Sequence, residues 1–201
     1  MVLKAHTKTQ EKKRAILMNA LDRFVEKGIE QTSIQMICEA TETSVGSLYH
    51  HFGNKEAIAA AVYIEGMKDF WQLVNNYLDK ATIQNEAEPV VKSLVYANID
   101  WISKNKNWAR YIFSNRSVVK TKEQKQVLFD ISQDTYQRIE DLFLKFINKK
   151  QLKNLPLEIF SPIISGPVHD YARHYFSGRY KKSLQLYKEE FAQATWCAVK
   201  K

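Results

Sequence analysis

Apolar side chains recur in pairs four residues apart, Ile16/Leu17, Ala20/Leu21 and Phe24/Val25, until Gly28 ends the series. That spacing lays one apolar stripe along a helix, and a glycine directly after Lys27 supplies the left-handed residue on which a helix closes. The same habit returns far along the chain, at Leu128, Ile131, Ile139, Leu142 and Phe146, where the spacing suits helix packing rather than chemistry. Sustained period-2 alternation, the mark of strands, is absent. Only 6 glycines and 4 prolines interrupt the 201 residues, so the expected fold is all-α.

The local signals divide the first third finely. Thr32 with Gln35 three residues on has the form of a capping box, and Ile34, Ile37 and Cys38 mark the buried face of a short second helix. The polar stretch Thr41–Ser44 ends it and provides a new cap, leaving Val45–Phe52 as a third short helix with Leu48 and Phe52 turned inward. Gly53-Asn54 breaks that helix, and Asn54 can cap a long fourth one from Lys55 to about Leu78. After a turn at Asn85–Pro89, further helices are expected near Val90–Lys104, Trp108–Asn115, Glu123–Lys149, Leu157–Ser177 and Ser183–Val199.

Composition excludes several classes of function and leaves others open. Cys38 and Cys197 share no metal-like spacing with each other or with the histidines, so neither a zinc site nor a disulfide framework is expected, and no cofactor is. Cys38 reads as a small core residue. The apolar run Ala57–Ile64 is far shorter than the roughly 20 residues of a membrane span, and the first eight residues have no secretory apolar stretch, so a soluble cytoplasmic protein is expected. The formal net charge is +8, of which residues 1–55 carry only +2, so charge permits an anionic partner without locating it.

Two short helices joined by a polar turn have the shape that places a helix in the major groove. The residues that fill this shape resemble the TetR family of transcriptional regulators: Phe24-Val-Glu-Lys-Gly28, then Thr32-Ser-Ile-Gln-Met-Ile37, then Ser44-Val-Gly-Ser-Leu-Tyr-His-His-Phe52 and Lys55. The resemblance covers residues 10–70, about a third of the chain, and implies an N-terminal three-helix helix-turn-helix DNA-binding domain over residues 9–69 and a C-terminal helical ligand-binding and dimerisation bundle over 70–201. One departure lies at the turn, where members commonly read Ala-Gly-Val-Ser and this chain reads Thr41-Glu42-Thr43-Ser44.

The resemblance implies a homodimer that binds double-stranded operator DNA and responds to a small-molecule effector. Thr32, Ser33 and Lys55 stand at the starts of the second and fourth helices, where free N–H groups and the helix dipole attract phosphate. Gly46 would let the recognition helix come close to DNA, and Tyr49 and His51 match positions that usually touch phosphates. Val45, Ser47 and His50 occupy variable positions and are the candidates for reading base edges or thymine methyls. With Ser44 at the head of the third helix, these are the expected DNA contacts.

For the effector, the expectation is an apolar or aromatic molecule among the aromatics of the second domain, with Tyr63, Met67, Phe70, Trp71, Tyr96, Trp101, Trp108 and Tyr136 as lining. Pro162–Arg173 looks like the start of the helix that pairs with the last one across a dimer axis in similar proteins. His169 and His174 are five apart, which is wrong for a metal pair, whereas Asp170 and His174 suit an i,i+4 contact. Two rival readings remain: a small catalyst, for which there is no phosphate-cradling loop or nucleophile–base spacing, and an architectural DNA binder without a ligand, which a collapsed second-domain cavity would favour.

Overall fold

A computed structural model describes residues 2–41 and 43–201, with side chains described from Gln10 onward. Among the described residues nine α-helices follow in order: α1 Val2–Lys27, α2 Ile34–Thr41, α3 Val45–Phe52, α4 Lys55–Ala81, α5 Ala87–Lys104, α6 Lys106–Ser114, α7 Lys122–Asn148, α8 Leu157–Phe176 and α9 Lys188–Val199. No strand occurs among the described residues; a lone bridge between Leu152 and Lys200 is the nearest approach to one. The all-α expectation holds.

The chain forms two compact units. One comprises the residues through Gly66 with Asn107–Val127, the other Met67–Lys106 with Leu128–Lys201, so that α4 supplies residues to both. In the first unit, the α1 stripe is buried at Ile16, Ala20, Leu21 and Phe24, and α1 ends at Gly28, whose φ of 82° lets its N–H reach the Phe24 carbonyl at 2.9 Å. Ile37, Leu48, Ile58 and Val62 complete this core from α2, α3 and α4. α6 joins it: the Tyr111 hydroxyl donates to the Ala59 carbonyl at 2.8 Å, and its ring stacks on Phe24.

The start of α2 differs from the expected capping box. Thr32 is turned inward, 1% exposed, and its hydroxyl donates to the Gly28 carbonyl at 2.8 Å, closing the end of α1. Ser33 takes over as cap, its Oγ accepting from Met36 N at 3.2 Å. α3 has its expected limits because both ends are specified: Ser44 Oγ accepts from Ser47 N, and Gly53, at φ 83°, closes the helix on the Tyr49 carbonyl. Asn54 then caps α4 by accepting from Ala57 N at 2.7 Å. Glu42, the departure from the family pattern, lies outside the described residues.

In the second unit α5 is buried on nearly every side, from Val90 and Leu94 to Trp101 and Ile102, and packs against α8 and α9. α7 buries Phe143 and Phe146, but its stripe also carries Ser132 and Thr135; Thr135 Oγ1 accepts from Asn75 Nδ2 at 2.8 Å. The last helix does not run unbroken from Ser183. Ser183 caps a 3-10 turn, Leu184–Tyr187, whose i to i+3 bond from Leu186 N to the Ser183 carbonyl precedes α9.

Candidate nucleic-acid interface and ligand cavity

α3 is eight residues long, and its two sides differ sharply. Leu48 is fully buried, whereas Val45 and Tyr49 are 45% and 47% exposed, with Gly46 and His50 exposed beside them. Positions 45, 46, 49 and 50 fall on one helix face by the 3.6-residue period, so the outward face is a shelf of one small apolar group, one bare backbone position, a phenol and an imidazole. Among the described residues nothing lies within 4 Å of where a Gly46 Cβ would stand, so no packing demand of theirs accounts for the glycine. Ser47 and His51 flank the shelf, half-buried. Tyr49 is thus a surface group rather than a core ring packed on α1.

Donors surround the shelf. Ser33 and Ser44 are exposed and accept backbone N–H bonds, which leaves each hydroxyl proton to donate outward. Lys55 Nζ donates to the Glu30 carbonyl at 3.1 Å, using one of three donors and anchoring the ammonium at the start of α4. Thr32 is the expected contact whose side chain is spent internally. Partial burial, then the charges of Lys13, His50 and Lys12, hold the His51 pKa below its ordinary value, which places two α1 lysines near the end of α3. Reading the motif alone had missed those lysines; the basic run Lys12-Lys13-Arg14 was the available signal.

Within the second unit, α4, α5, α7 and α8 enclose a cavity of about 320 Å³. Of the eight expected lining residues, Met67, Phe70, Trp71 and Tyr136 are there. Trp71 sits 4.7 Å from Tyr136 between ring centroids and 5.0 Å from Phe70; Phe143 and Phe160, 4.7 Å apart, add to the aromatic wall. Trp101 backs Phe70 edge-on and donates from Nε1 to Asp69 without lining the space. Tyr96 is turned to Glu189 at 2.5 Å. Tyr63 and Trp108 belong to the first unit, where Trp108 Nε1 donates to the Val62 carbonyl at 3.1 Å.

The cavity has a polar corner that the aromatic pattern did not reveal. Asn98 donates from Nδ2 to the Leu94 carbonyl, and its Oδ1 lies 2.9 Å from His169 Nε2. Burial, with Arg173 as a lesser cause, lowers the His169 pKa to about 4, so this imidazole is neutral at neutral pH. Glu140, Glu158, Ser161 and Ser165 complete the polar lining. Among the described residues no group of histidines, cysteines and carboxylates has a metal-holding arrangement; Asp170 meets His174 at 3.8 Å as an i,i+4 pair. Cys38 is buried, which raises its thiol pKa, with Glu39 adding to the shift.

Comparison with known proteins identifies the motif. The sequence profile described as "Bacterial regulatory proteins, tetR family" matches residues 16–62, the stretch from the α1 stripe through the shelf into α4. Residues 16–62 thus carry the DNA-binding motif of the TetR family. This family consists of DNA-binding transcriptional regulators, which are not enzymes, so the small-catalyst alternative falls away.

Curated helix-turn-helix regulators match over stretches of similar length. The transcriptional regulator UidR of Escherichia coli strain K12 is 37% identical over 59 residues, 29% of this chain and 30% of UidR. The transcriptional repressor DhaR of Mycobacterium sp. strain GP1 is 33% identical over 60 residues, 30% of each protein. The matched part therefore spans under a third of these relatives' length. The whole TetR fold is matched by FadR of Bacillus subtilis, solved in complex with stearoyl-CoA: TM-score 0.73 at 16% identity, over 90% of this chain and 96% of FadR. At that identity the likeness concerns fold alone. No described helix is long and apolar enough to cross a membrane.

Proposed function

We propose that this chain is a cytoplasmic transcriptional repressor that, as a homodimer, holds a near-palindromic operator and releases it when a small apolar or aromatic effector enters the cavity. The outward face of α3 carries this reading: an eight-residue helix with Gly46 bare and Val45, Tyr49 and His50 exposed has the width and chemistry to enter a major groove. Val45, Ser47 and His50 read bases; Ser33, Ser44, Tyr49, His51 and Lys55 meet phosphates, with the amides that open α2 and α4. Residues 9–69 form the reading domain and 70–201 the sensing and dimerising one. α8 and α9 form the self-pairing surface, and a two-fold dimer presents two equivalent α3 helices.

The effector acts through α4, which begins at Lys55 beside the DNA contacts and lines the cavity at Met67, Phe70, Trp71 and Val74. A ligand that favours a displaced α4 by about 1–3 kcal/mol lowers operator affinity 5- to 150-fold, and the operator lowers ligand affinity by the same factor. The open cavity favours this over an architectural binder without a ligand. DhaR is a repressor by name and FadR was solved with an acyl thioester, which lends support to repression and to ligand sensing.

The test is binding to a duplex of arbitrary sequence, by fluorescence anisotropy, across a range of salt. Lys55→Ala should weaken binding to all duplexes and reduce the slope of log K against log salt by about 1. An unchanged slope in a folded variant would remove Lys55 from the interface, and no salt-dependent binding by the parent chain would defeat the DNA-binding reading itself.

A further inference from the structure

The charged residues lining the cavity have the opposite sign to the protein as a whole. The chain carries a net +8, yet among the described residues no lysine or arginine lines this space, whereas Glu140 from α7 and Glu158 from α8 both do. Both carboxylates are exposed, and neither has a salt bridge or hydrogen bond among the described residues. The polar corner adds no positive charge at neutral pH: Asn98 is uncharged, and buried His169 stays deprotonated. The remaining wall presents aromatic rings, Trp71 against Tyr136 and Phe143 against Phe160, whose π faces attract cations.

Each class of occupant meets this lining differently. A carboxylate or phosphate head would be desolvated beside two like charges with no cation to compensate it. A neutral hydrocarbon gains from the rings and is indifferent to the glutamates. A cation on an apolar body gains from both, because ring quadrupole and carboxylate act with the same sign.

We propose that the cavity selects an organic cation, a quaternary or protonated amine on a compact apolar body, whose charge faces the aromatic wall and the Glu140 and Glu158 carboxylates. This rests on the reading of the cavity as the effector site and specifies its chemistry. A volume of about 320 Å³ lies at the small end of ligand pockets, which limits the body to about one ring with short substituents.

Three probes of nearly one shape separate the possibilities in calorimetric titrations of the full chain: phenyltrimethylammonium, its neutral isostere tert-butylbenzene, and 4-tert-butylbenzoate. The cation should bind about tenfold more tightly than the isostere, and the benzoate most weakly. A Glu140→Gln/Glu158→Gln variant, altered only at exposed positions, should lose most of the cation preference and keep its affinity for tert-butylbenzene. Equal binding of cation and isostere, tighter binding of the benzoate, or a cation preference untouched by the double substitution would overturn the proposal. If none of the three binds, the ligand cavity fails with it. Selective cation binding that leaves operator affinity unchanged would uphold the proposal and count against the inducer reading alone.

Discussion

Gly66 lies well inside α4, where glycine is ordinarily a liability and alanine would stabilise a helix by about 0.8–1 kcal/mol. Here a Cβ would stand 2.6 Å from Trp108 Cδ1, 2.8 Å from its Nε1 and 2.9 Å from Ile112 Cδ1. The Ile112 methyl ends a flexible side chain and can turn away. The indole cannot do so cheaply, being 4% exposed and held by its N–H bond to the Val62 carbonyl, one turn before Gly66. Restoring ordinary contact requires a shift of roughly 1 Å; overpacking of this kind costs about 1–3 kcal/mol, and stranding a buried N–H costs about 1–3 kcal/mol more. Gly66→Ala should therefore be destabilising by about 2 kcal/mol after the propensity gain, a fall in Tm of roughly 4–8 °C for a chain of this size. Reversible urea unfolding followed by far-ultraviolet circular dichroism measures it. In a Trp108→Leu background the same substitution should become neutral or stabilising, because the clashing ring is gone. A Gly66→Ala protein as stable as the parent, or equally destabilised in both backgrounds, would refute the reasoning.

Gly46→Ala supplies the opposite case: with nothing within 4 Å it should leave stability unchanged or raise it by up to about 1 kcal/mol, while weakening duplex binding at least about tenfold in anisotropy titrations. Lost stability with unchanged DNA affinity would move Gly46 from the interface to the fold. His169 gives a pH signature. Its pKa falls from 6.5 to about 4 on folding, so below 6.5 the unfolded chain binds the proton that the folded chain refuses, and stability is lost as pH falls from 6.5 towards 4 by at most about 3 kcal/mol. His169→Gln should flatten that part of the curve in urea titrations; an unchanged slope would show that other groups govern it.

The reading helix was legible because its determinants are local. Ser44 and Gly53 specify the ends of α3, and Leu48 marks its inner side, all within ten residues. One helix earlier, at α2, the same logic misassigned the cap: whether Thr32 or Ser33 serves depends on the Gly28 carbonyl that Thr32 meets, which no capping pattern records. The cavity was half legible. Aromatic rings announce burial, but not which space they border; Trp108 is placed by a gap at Gly66, and Tyr96 by a carboxylate 93 residues away. The polar corner was hidden for the same reason, since Asn98 and His169 are 71 residues apart and meet only because α5 packs on α8.

Selection of bound duplexes from a random-sequence pool by the full chain tests the central claim most directly. The account predicts enrichment of one near-palindromic sequence, two equivalent half-sites for two α3 helices, with preference altered at defined bases by Ser47→Ala or His50→Ala. A pool that stays unenriched, or that enriches a motif without two-fold symmetry and indifferent to both substitutions, would contradict it.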